Sequence, residues 1–109
     1  MSGITTHVLD TSRGRPAAGV PVRLERGAAV LGSGRTDADG RLRDLLPTHL
    51  QLHTGTYRLV FETSVYFRAQ GVDAFYPHVC IDFEIRDEGQ HYHVPLLLSP
   101  FGYSTYRGS

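Results

Sequence analysis

Two segments near the carboxyl end of the chain alternate strictly between apolar and polar residues. The apolar positions are Val79, Ile81, Phe83 and Ile85 in the first segment, and Tyr92, Val94, Leu96 and Leu98 in the second. Because a period of two places successive side chains on opposite faces of an extended backbone, both segments predict half-buried strands rather than helices. Glu88-Gly89, which lies between them, predicts a turn.

Shorter segments repeat this pattern along the rest of the chain. Further strands are expected at 4–10, 20–26, 28–32, 41–46, 57–61 and 103–106, each bounded by turn residues. A single helix is expected over 62–70, with Gly71 at the position of a helix stop. Seven to eight strands, one short helix and no internal repeat predict an all-β fold, an antiparallel β-sandwich. The length of 109 residues predicts one domain covering 1–109.

The charge balance and the cysteine content limit the partners and the compartment. The chain has 11 basic residues, all of them Arg, and 11 acidic residues, which gives a formal net charge of zero. A neutral chain has no electrostatic footprint for nucleic acid or an anionic membrane. Cys80 is the only cysteine, so no internal disulfide can form, and residues 1–20 lack the apolar core of a signal peptide. We therefore expect a cytoplasmic protein without nucleic-acid or membrane partners.

Two histidines are candidate site residues because of their phase in the predicted strands. His7 is out of phase with the apolar side of its strand, and His93 lies opposite Tyr92 and Val94. If the apolar sets point inward, both imidazoles project from the outer face of the sandwich. From the residues alone, the pair is either part of a site or two solvated surface side chains.

Other chemistries fit the residues less well. His91 and His93 share one side of a strand, but a zinc site needs three or four ligands and no further ligand appears at the required spacing. The segment Asp37–Gly40 does not match a calcium loop and favours a hairpin turn, with Arg41 starting the next strand. None of the serines lies in a Gly-x-Ser-x-Gly elbow. The sequence therefore predicts no metal and no cofactor.

Three sequence blocks carry a resemblance to a known family. They are Thr6–Asp10 followed by Gly19–Val22, then Thr36–Arg41, and finally Tyr92–Pro100 running into Tyr103–Ser109. With these blocks the chain resembles, from residue 4 to residue 109, the 5-hydroxyisourate hydrolases, the enzymatic branch of the transthyretin family. The final Tyr-Arg-Gly-Ser is the most specific block, because the hormone-carrier transthyretins lack it.

The resemblance implies a transthyretin-like (prealbumin-like) sandwich that assembles as a homotetramer, a dimer of dimers with its sites at the dimer–dimer interface. It implies a metal-free hydrolase that converts the small molecule 5-hydroxyisourate to 2-oxo-4-hydroxy-4-carboxy-5-ureidoimidazoline in urate degradation. The implied catalytic residues are His7, Arg41 and His93, and the implied substrate-binding residues are His7, Arg41, Tyr106, Arg107 and Ser109.

Several alternatives stay open at this point. Either His93 or His7 can be the general base, and Ser109 can act through its hydroxyl or through a terminal carboxylate. A carrier of small aromatic ligands in the same channel is the main rival function, and a structural sandwich module of the adhesin kind is a second. A carrier has no need of two histidines and an arginine facing one cavity.

Overall fold

The computed structural model describes residues 3–109 as nine strands and one helix. In chain order the elements are β1 (Gly3–Asp10), β2 (Arg15–Pro16), β3 (Pro21–Arg26), β4 (Ala29–Arg35), β5 (Arg41–Leu42), β6 (Gly55–Phe61), α1 (Thr63–Arg68), β7 (Val79–Ile85), β8 (His91–Ser99) and β9 (Gly102–Thr105). All eight predicted strands are present. The ninth is β2, a two-residue strand inside the Gly- and Pro-containing loop after β1.

The strands form two sheets. One has the order β2-β1-β8-β9, with β5 also paired to β1, and the other has the order β4-β3-β6-β7. Every neighbouring pair is antiparallel except β1 and β8, which run parallel with Thr5 beside His93 and His7 beside Pro95. The predicted all-β sandwich is confirmed. Its one parallel pair joins strands far apart in the sequence, where no hairpin forces an antiparallel arrangement.

The alternation in β1 and β8 separates a buried face from an outer face. In β1 the even-numbered residues are buried and the odd-numbered residues are only half-buried. In β8, Tyr92, Val94, Leu96 and Leu98 lie in the core between the sheets, where each large apolar side chain contributes about 1.5–3 kcal/mol. The odd-numbered residues Thr5, His7, His91 and His93 are therefore left on the outer face of this sheet.

The helix is shorter than predicted, but it ends where Gly71 indicated. Gly71 has φ 69°, a left-handed conformation that glycine adopts without strain. Its amide donates to the carbonyl of Arg68, and the next amide, of Val72, donates to the carbonyl of Phe67. These bonds satisfy carbonyls that a helix end would otherwise leave unpaired. Within residues 3–109 no helix is long and apolar enough to cross a membrane.

The strand expected over 41–46 stops after Leu42. Leu42 and Leu45 are 8% and 1% exposed, so both point into the core although they are three residues apart. A strand cannot place residues of that spacing on one face, and the backbone therefore leaves the extended conformation between them. This early end makes β5 only two residues long, with Arg41 beside β1.

Candidate functional site

Polar side chains in pairs spaced two residues apart meet on three adjacent segments of the first sheet. Because β1 lies between β5 and β8, its outward residues are flanked on both sides. The pairs are Thr5 and His7 on β1, His91 and His93 on β8, and Arg41 with Arg43 at and just beyond β5. The sheet thus gathers side chains that are far apart in the sequence.

The turn before β5 fixes the position of Arg41. The Oδ1 atom of Asp37 accepts a hydrogen bond of 2.9 Å from the amide of Arg41, and Arg41 then pairs in register with His7. Gly40 has φ 76°, and its carbonyl accepts a bond of 2.7 Å from the amide of Val8. A Cβ atom at Gly40 would lie 2.3 Å from the Val8 carbonyl oxygen. Only glycine allows the turn to pack this closely on β1.

His7 is held by the same turn. Its Nε2 atom lies 2.9 Å from the backbone carbonyl oxygen of Asp39. A carbonyl only accepts hydrogen bonds, so Nε2 of His7 must carry the proton. In the neutral ring the free nitrogen is then Nδ1. The ring therefore has one defined tautomer, even though it is only half-buried.

His93 has the electrostatic surroundings of a general base. Burial lowers the pKa of His93 below its usual value, and the positive charge of Arg41 and the neighbouring imidazoles of His7 and His91 lower it further. Each of these causes disfavours the protonated ring. His93 is therefore neutral at neutral pH and can accept a proton.

The chain's last residues fold back onto His93. The amide of Gly108 donates a hydrogen bond of 2.9 Å to the carbonyl of His93, and the two residues form an isolated β-bridge. This contact carries the following residue, Ser109, to the outer face of the sheet. The tail therefore packs on the outer face of the sheet beside His93.

Five of the six paired residues, together with Thr6 and the tail, line an open cavity of about 350 Å³. Its lining residues are Thr5, Thr6, Arg41, Arg43, His91, His93 and Ser109. Neither Arg41 nor Arg43 forms an ion pair with a carboxylate within residues 3–109. Two guanidinium groups without carboxylate partners favour a ligand rich in carbonyl or anionic oxygens.

The cavity unites some of the predicted site residues and leaves others outside. Arg41, His93 and Ser109 line it, whereas His7 lies beside it on β1. Tyr106 and Arg107 line a different cleft, of about 700 Å³, between the tail and β7. His93 lines both spaces.

Arg107 is engaged in contacts of its own within that second cleft. Its guanidinium carbon lies 4.6 Å from the centre of the Tyr92 ring, and its Nη2 atom donates a bond of 2.8 Å to Gln90. Its charge is therefore held over an aromatic face. Within one chain, Arg107 does not reach the cavity that contains Arg41.

Besides the buried Thr6, three cavity residues were missed as site candidates or were considered only for another role. Thr5 and Arg43 were not singled out, and His91 was considered only as a metal ligand. The sequence did contain a signal, because each lies two residues from a predicted site residue and therefore shares its face of an extended segment. What it did not contain was the strand order that brings the three pairs together.

The rings of His91 and His93 share one hydrogen-bond partner. One nitrogen of each ring lies 2.8 Å from the Thr5 hydroxyl oxygen. No group of three or more His, Cys, Asp or Glu side chains within residues 3–109 is placed to hold a metal ion. The two rings are instead linked through Thr5.

The two-sheet fold, with a polar cavity on its outer face, is that of a transthyretin-like β-sandwich. Sea bream transthyretin, in a structure in complex with thyroxine, superposes with a TM-score of 0.87 at 32% identity, over 96% of this chain and 93% of that one. A sequence model of the HIUase/Transthyretin family matches residues 4–108, and the chain belongs to this family.

Other members of the family are more similar in sequence. The 5-hydroxyisourate hydrolase of Caulobacter vibrioides is 50% identical over the whole of both chains. The structure of the Klebsiella pneumoniae 5-hydroxyisourate hydrolase superposes with a TM-score of 0.91 at 40% identity, and also covers both chains completely. The resemblance read from the sequence blocks is therefore confirmed.

Proposed function

We propose that this protein hydrolyses 5-hydroxyisourate, opening a cyclic amide to give 2-oxo-4-hydroxy-4-carboxy-5-ureidoimidazoline in urate degradation. The observation that carries the proposal is the cavity in which a neutral imidazole, His93, and a guanidinium without a carboxylate partner, Arg41, line the same space. The names of relatives such as the Caulobacter vibrioides hydrolase, 50% identical over both full chains, support the choice of substrate.

His93 and Arg41 supply the two functions that amide hydrolysis needs. The free nitrogen of His93 accepts a proton from water as the water oxygen attacks the amide carbonyl carbon. The carbonyl oxygen becomes anionic, and Arg41 stabilises it with a charged, forked donor. The carbon–nitrogen bond of the substrate then breaks. The leaving amide nitrogen of the substrate takes the proton from His93, and the new carboxyl group ionises.

The size of each contribution follows from general catalysis. A positioned general base is worth roughly 10²–10⁴ in rate, and one oxyanion donor is worth about 10²–10³ in kcat. We assign the base to His93 rather than to His7 because His93 lines the cavity whereas His7 lies beside it, and the lowered pKa of His93 keeps its ring neutral. His7, whose Nε2 atom is held by Asp39, orients the water or the substrate.

The remaining predicted contacts belong to substrate binding. We assign Ser109 to the cavity wall and Tyr106 to a hydrogen bond with the substrate, supported by the exposure of Tyr106, which is 58%. Because Tyr106 and Arg107 line a separate cleft within one chain, they reach the substrate only if another subunit brings this cleft against a cavity.

We propose that the protein forms a homotetramer, a dimer of dimers with the sites between the dimers. Within residues 3–109, each sheet ends on an edge strand, β7 or β9, that has a partner on one side only. Phe101 and Phe75 are 71% and 70% exposed, and the ring of Phe75 contacts Tyr76, which in turn contacts Tyr103. A contiguous group of exposed aromatic rings commonly marks an association surface. Light scattering should give four times the chain mass; a monomer mass would overturn this part of the proposal.

We also propose a cytoplasmic location. Cys80 is a free, exposed thiol, which a reducing compartment preserves. Cell fractionation followed by immunodetection tests this directly. Recovery of the protein in an oxidising compartment would contradict it.

The activity is tested by generating 5-hydroxyisourate in situ with urate oxidase and following its ultraviolet absorbance. Purified protein should shorten the lifetime of the intermediate in proportion to its concentration. The rival carrier function is favoured by the similarity to sea bream transthyretin. A carrier would bind small aromatic ligands and leave the lifetime unchanged, so this one assay separates the two functions.

A further inference from the structure

The Thr5 hydroxyl joins two histidines on the outer face of the sheet. Its oxygen lies 2.8 Å from Nε2 of His91 and 2.8 Å from Nδ1 of His93. The parallel pairing of β1 and β8 places Thr5 directly beside His93, and His91 lies two residues away on the same face of β8. The sheet register therefore sets the geometry of this bridge.

A hydroxyl group has one hydrogen, so it cannot donate to both rings. When the hydroxyl hydrogen lies within the bridge, Thr5 either donates to His93 and accepts from His91, or accepts from His93 and donates to His91. In the first arrangement Nε2 of neutral His93 carries the proton and has no basic lone pair. In the second, Nδ1 of His93 carries the proton and Nε2 is a free base. The bridge therefore couples the tautomers of the two rings.

The charge of the cavity favours the second arrangement. Nδ1 of His93 is occupied by Thr5, so Nε2 is the nitrogen left for a ligand. Arg41 and Arg43 line the same cavity, and a ring N–H pointing toward two cations is less favourable than a lone pair.

We propose that Thr5 and His91 are positioning residues that hold His93 in the tautomer with a proton on Nδ1 and a free lone pair on Nε2. His91 is exposed, so water can satisfy its other ring nitrogen. It accepts the Thr5 hydroxyl hydrogen and thereby leaves the Thr5 oxygen to accept from His93. This inference rests on the proposed hydrolase function, for which it identifies the atom that acts as base.

The first experiment changes Thr5 and observes the rings directly. In wild-type protein, ¹⁵N NMR of the histidine side chains above the pH of their titration should show His93 protonated at Nδ1. Thr5→Val has nearly the same shape but no hydroxyl, and is expected to give a mixture of His93 tautomers. Thr5→Ser restores the hydroxyl and is expected to restore the wild-type tautomer. Thr56→Val, on the exposed face of the other sheet, is the matched control.

The second experiment changes His91. In His91→Phe the Thr5 hydroxyl has His93 as its one remaining ring partner, so we expect the proton of His93 to move to Nε2. His91→Gln offers an amide oxygen that can accept from Thr5, and should return the proton to Nδ1. His78→Phe, another exposed histidine, controls for the loss of an imidazole.

Activity provides the third readout. Loss of the outer hydrogen-bond partner of a metal-bound histidine typically costs about 10- to 100-fold. We expect a loss of the same order in kcat for Thr5→Val and His91→Phe, with little change in KM. Unaltered His93 tautomers in these two variants would overturn the proposal, as would unaltered kcat. If wild-type protein fails to hydrolyse 5-hydroxyisourate, the proposed function fails, while the NMR spectra still decide whether Thr5 and His91 set the tautomer.

Discussion

The backbone amide of Gly108 donates a hydrogen bond of 2.9 Å to the carbonyl oxygen of His93, and the two residues are packed so closely that no side chain fits between them. A Cβ atom at Gly108 would lie 2.5 Å from Cδ2 of the His93 ring. Cδ2 is bonded to Nε2, the nitrogen assigned as base. Position 108, within the terminal Tyr-Arg-Gly-Ser, therefore requires glycine, because a side chain there would clash with the proposed catalytic ring of His93.

Gly108→Ala should damage activity more than stability. The added methyl group forces either the His93 ring or the tail to move, and a displaced base loses much of its effect, about 10²-fold for a shift of 1 Å. We expect a fall of this order in kcat/KM with a nearly unchanged melting temperature. Gly102→Ala is the control, because a Cβ there would meet nothing closer than 3.8 Å. Equal activity of the two variants would contradict the packing argument.

Arg41→Ala should remove most activity without disrupting the fold. The guanidinium has no carboxylate partner within residues 3–109, so the fold does not depend on its charge. Loss of an oxyanion donor predicts a decrease of about 10²–10³ in kcat, measured in the coupled urate oxidase assay. Arg58→Ala, which breaks an exposed pair with Asp82, is the control. A fully active Arg41→Ala protein would exclude Arg41 from the mechanism.

The acidic limb of the pH–rate profile should report the protonation of the His93 ring. Because burial and the nearby Arg41, His7 and His91 lower its pKa below the usual value of about 6.5, the ring stays neutral to a lower pH. We expect kcat/KM to fall only as the pH drops below 6.5. Arg41→Met removes one positive charge and should raise the pKa of His93, measured by NMR titration of its ring protons. A wild-type value at or above 6.5 would contradict this assignment.

The buried pair Asp10 and Tyr66 should control stability in acid. Asp10 is 1% exposed, and the Tyr66 hydroxyl donates a bond of 2.7 Å to its Oδ2 atom. Burial alone would raise the pKa of Asp10, but its hydrogen bonds from Ser12, Tyr66 and Arg13 outweigh burial and lower it below 3.8. The resulting stabilisation is present above pH 3.8 and is lost as the pH falls through the lowered pKa.

Tyr66→Phe removes the one donor to Oδ2 of Asp10 within residues 3–109. We expect the free energy of unfolding to fall by about 1–3 kcal/mol at neutral pH. The pKa of Asp10 should rise, so acid unfolding should begin at a higher pH. Urea denaturation between pH 3 and pH 7 measures both effects. Tyr76→Phe, which alters an exposed phenol and keeps the ring, should match wild type; an acid profile shared by all three proteins would refute the role of Asp10.

Activity should survive treatment with EDTA. The proposed mechanism takes its base from His93 and its positive charge from Arg41, so chelation removes nothing that the reaction uses. Protein dialysed against EDTA should retain its full rate when metal-free buffers are used throughout the coupled assay. A rate that falls on chelation and recovers on addition of a divalent cation would contradict the metal-free mechanism and indicate a metal site.

Local pattern alone was enough for eight of the nine strands, the helix stop and the outward orientation of the histidines, but it missed β2 and extended β5 too far. The alternation in 79–86 and 91–98 predicts most of the buried side chains, since a two-residue period permits one inward set. Phe83, which is half-buried, and Pro95, which is buried out of phase, are the exceptions. Gly71 marks the helix end for an equally local reason. The sequence likewise places His91 and His93 on one side of their strand.

Only the tertiary structure decided which of these side chains meet. The strand order β5-β1-β8, with β1 and β8 parallel, places Thr5 between His91 and His93 and brings Arg41 beside His7. Residues 5 and 93 are 88 positions apart, and periodicity carries no information about pairing at that separation. The early end of β5 has the same kind of cause, since Leu45 turns into a core that the strand pattern does not describe. Sequence determines each face because that constraint is local, whereas the partners depend on how the sheets assemble.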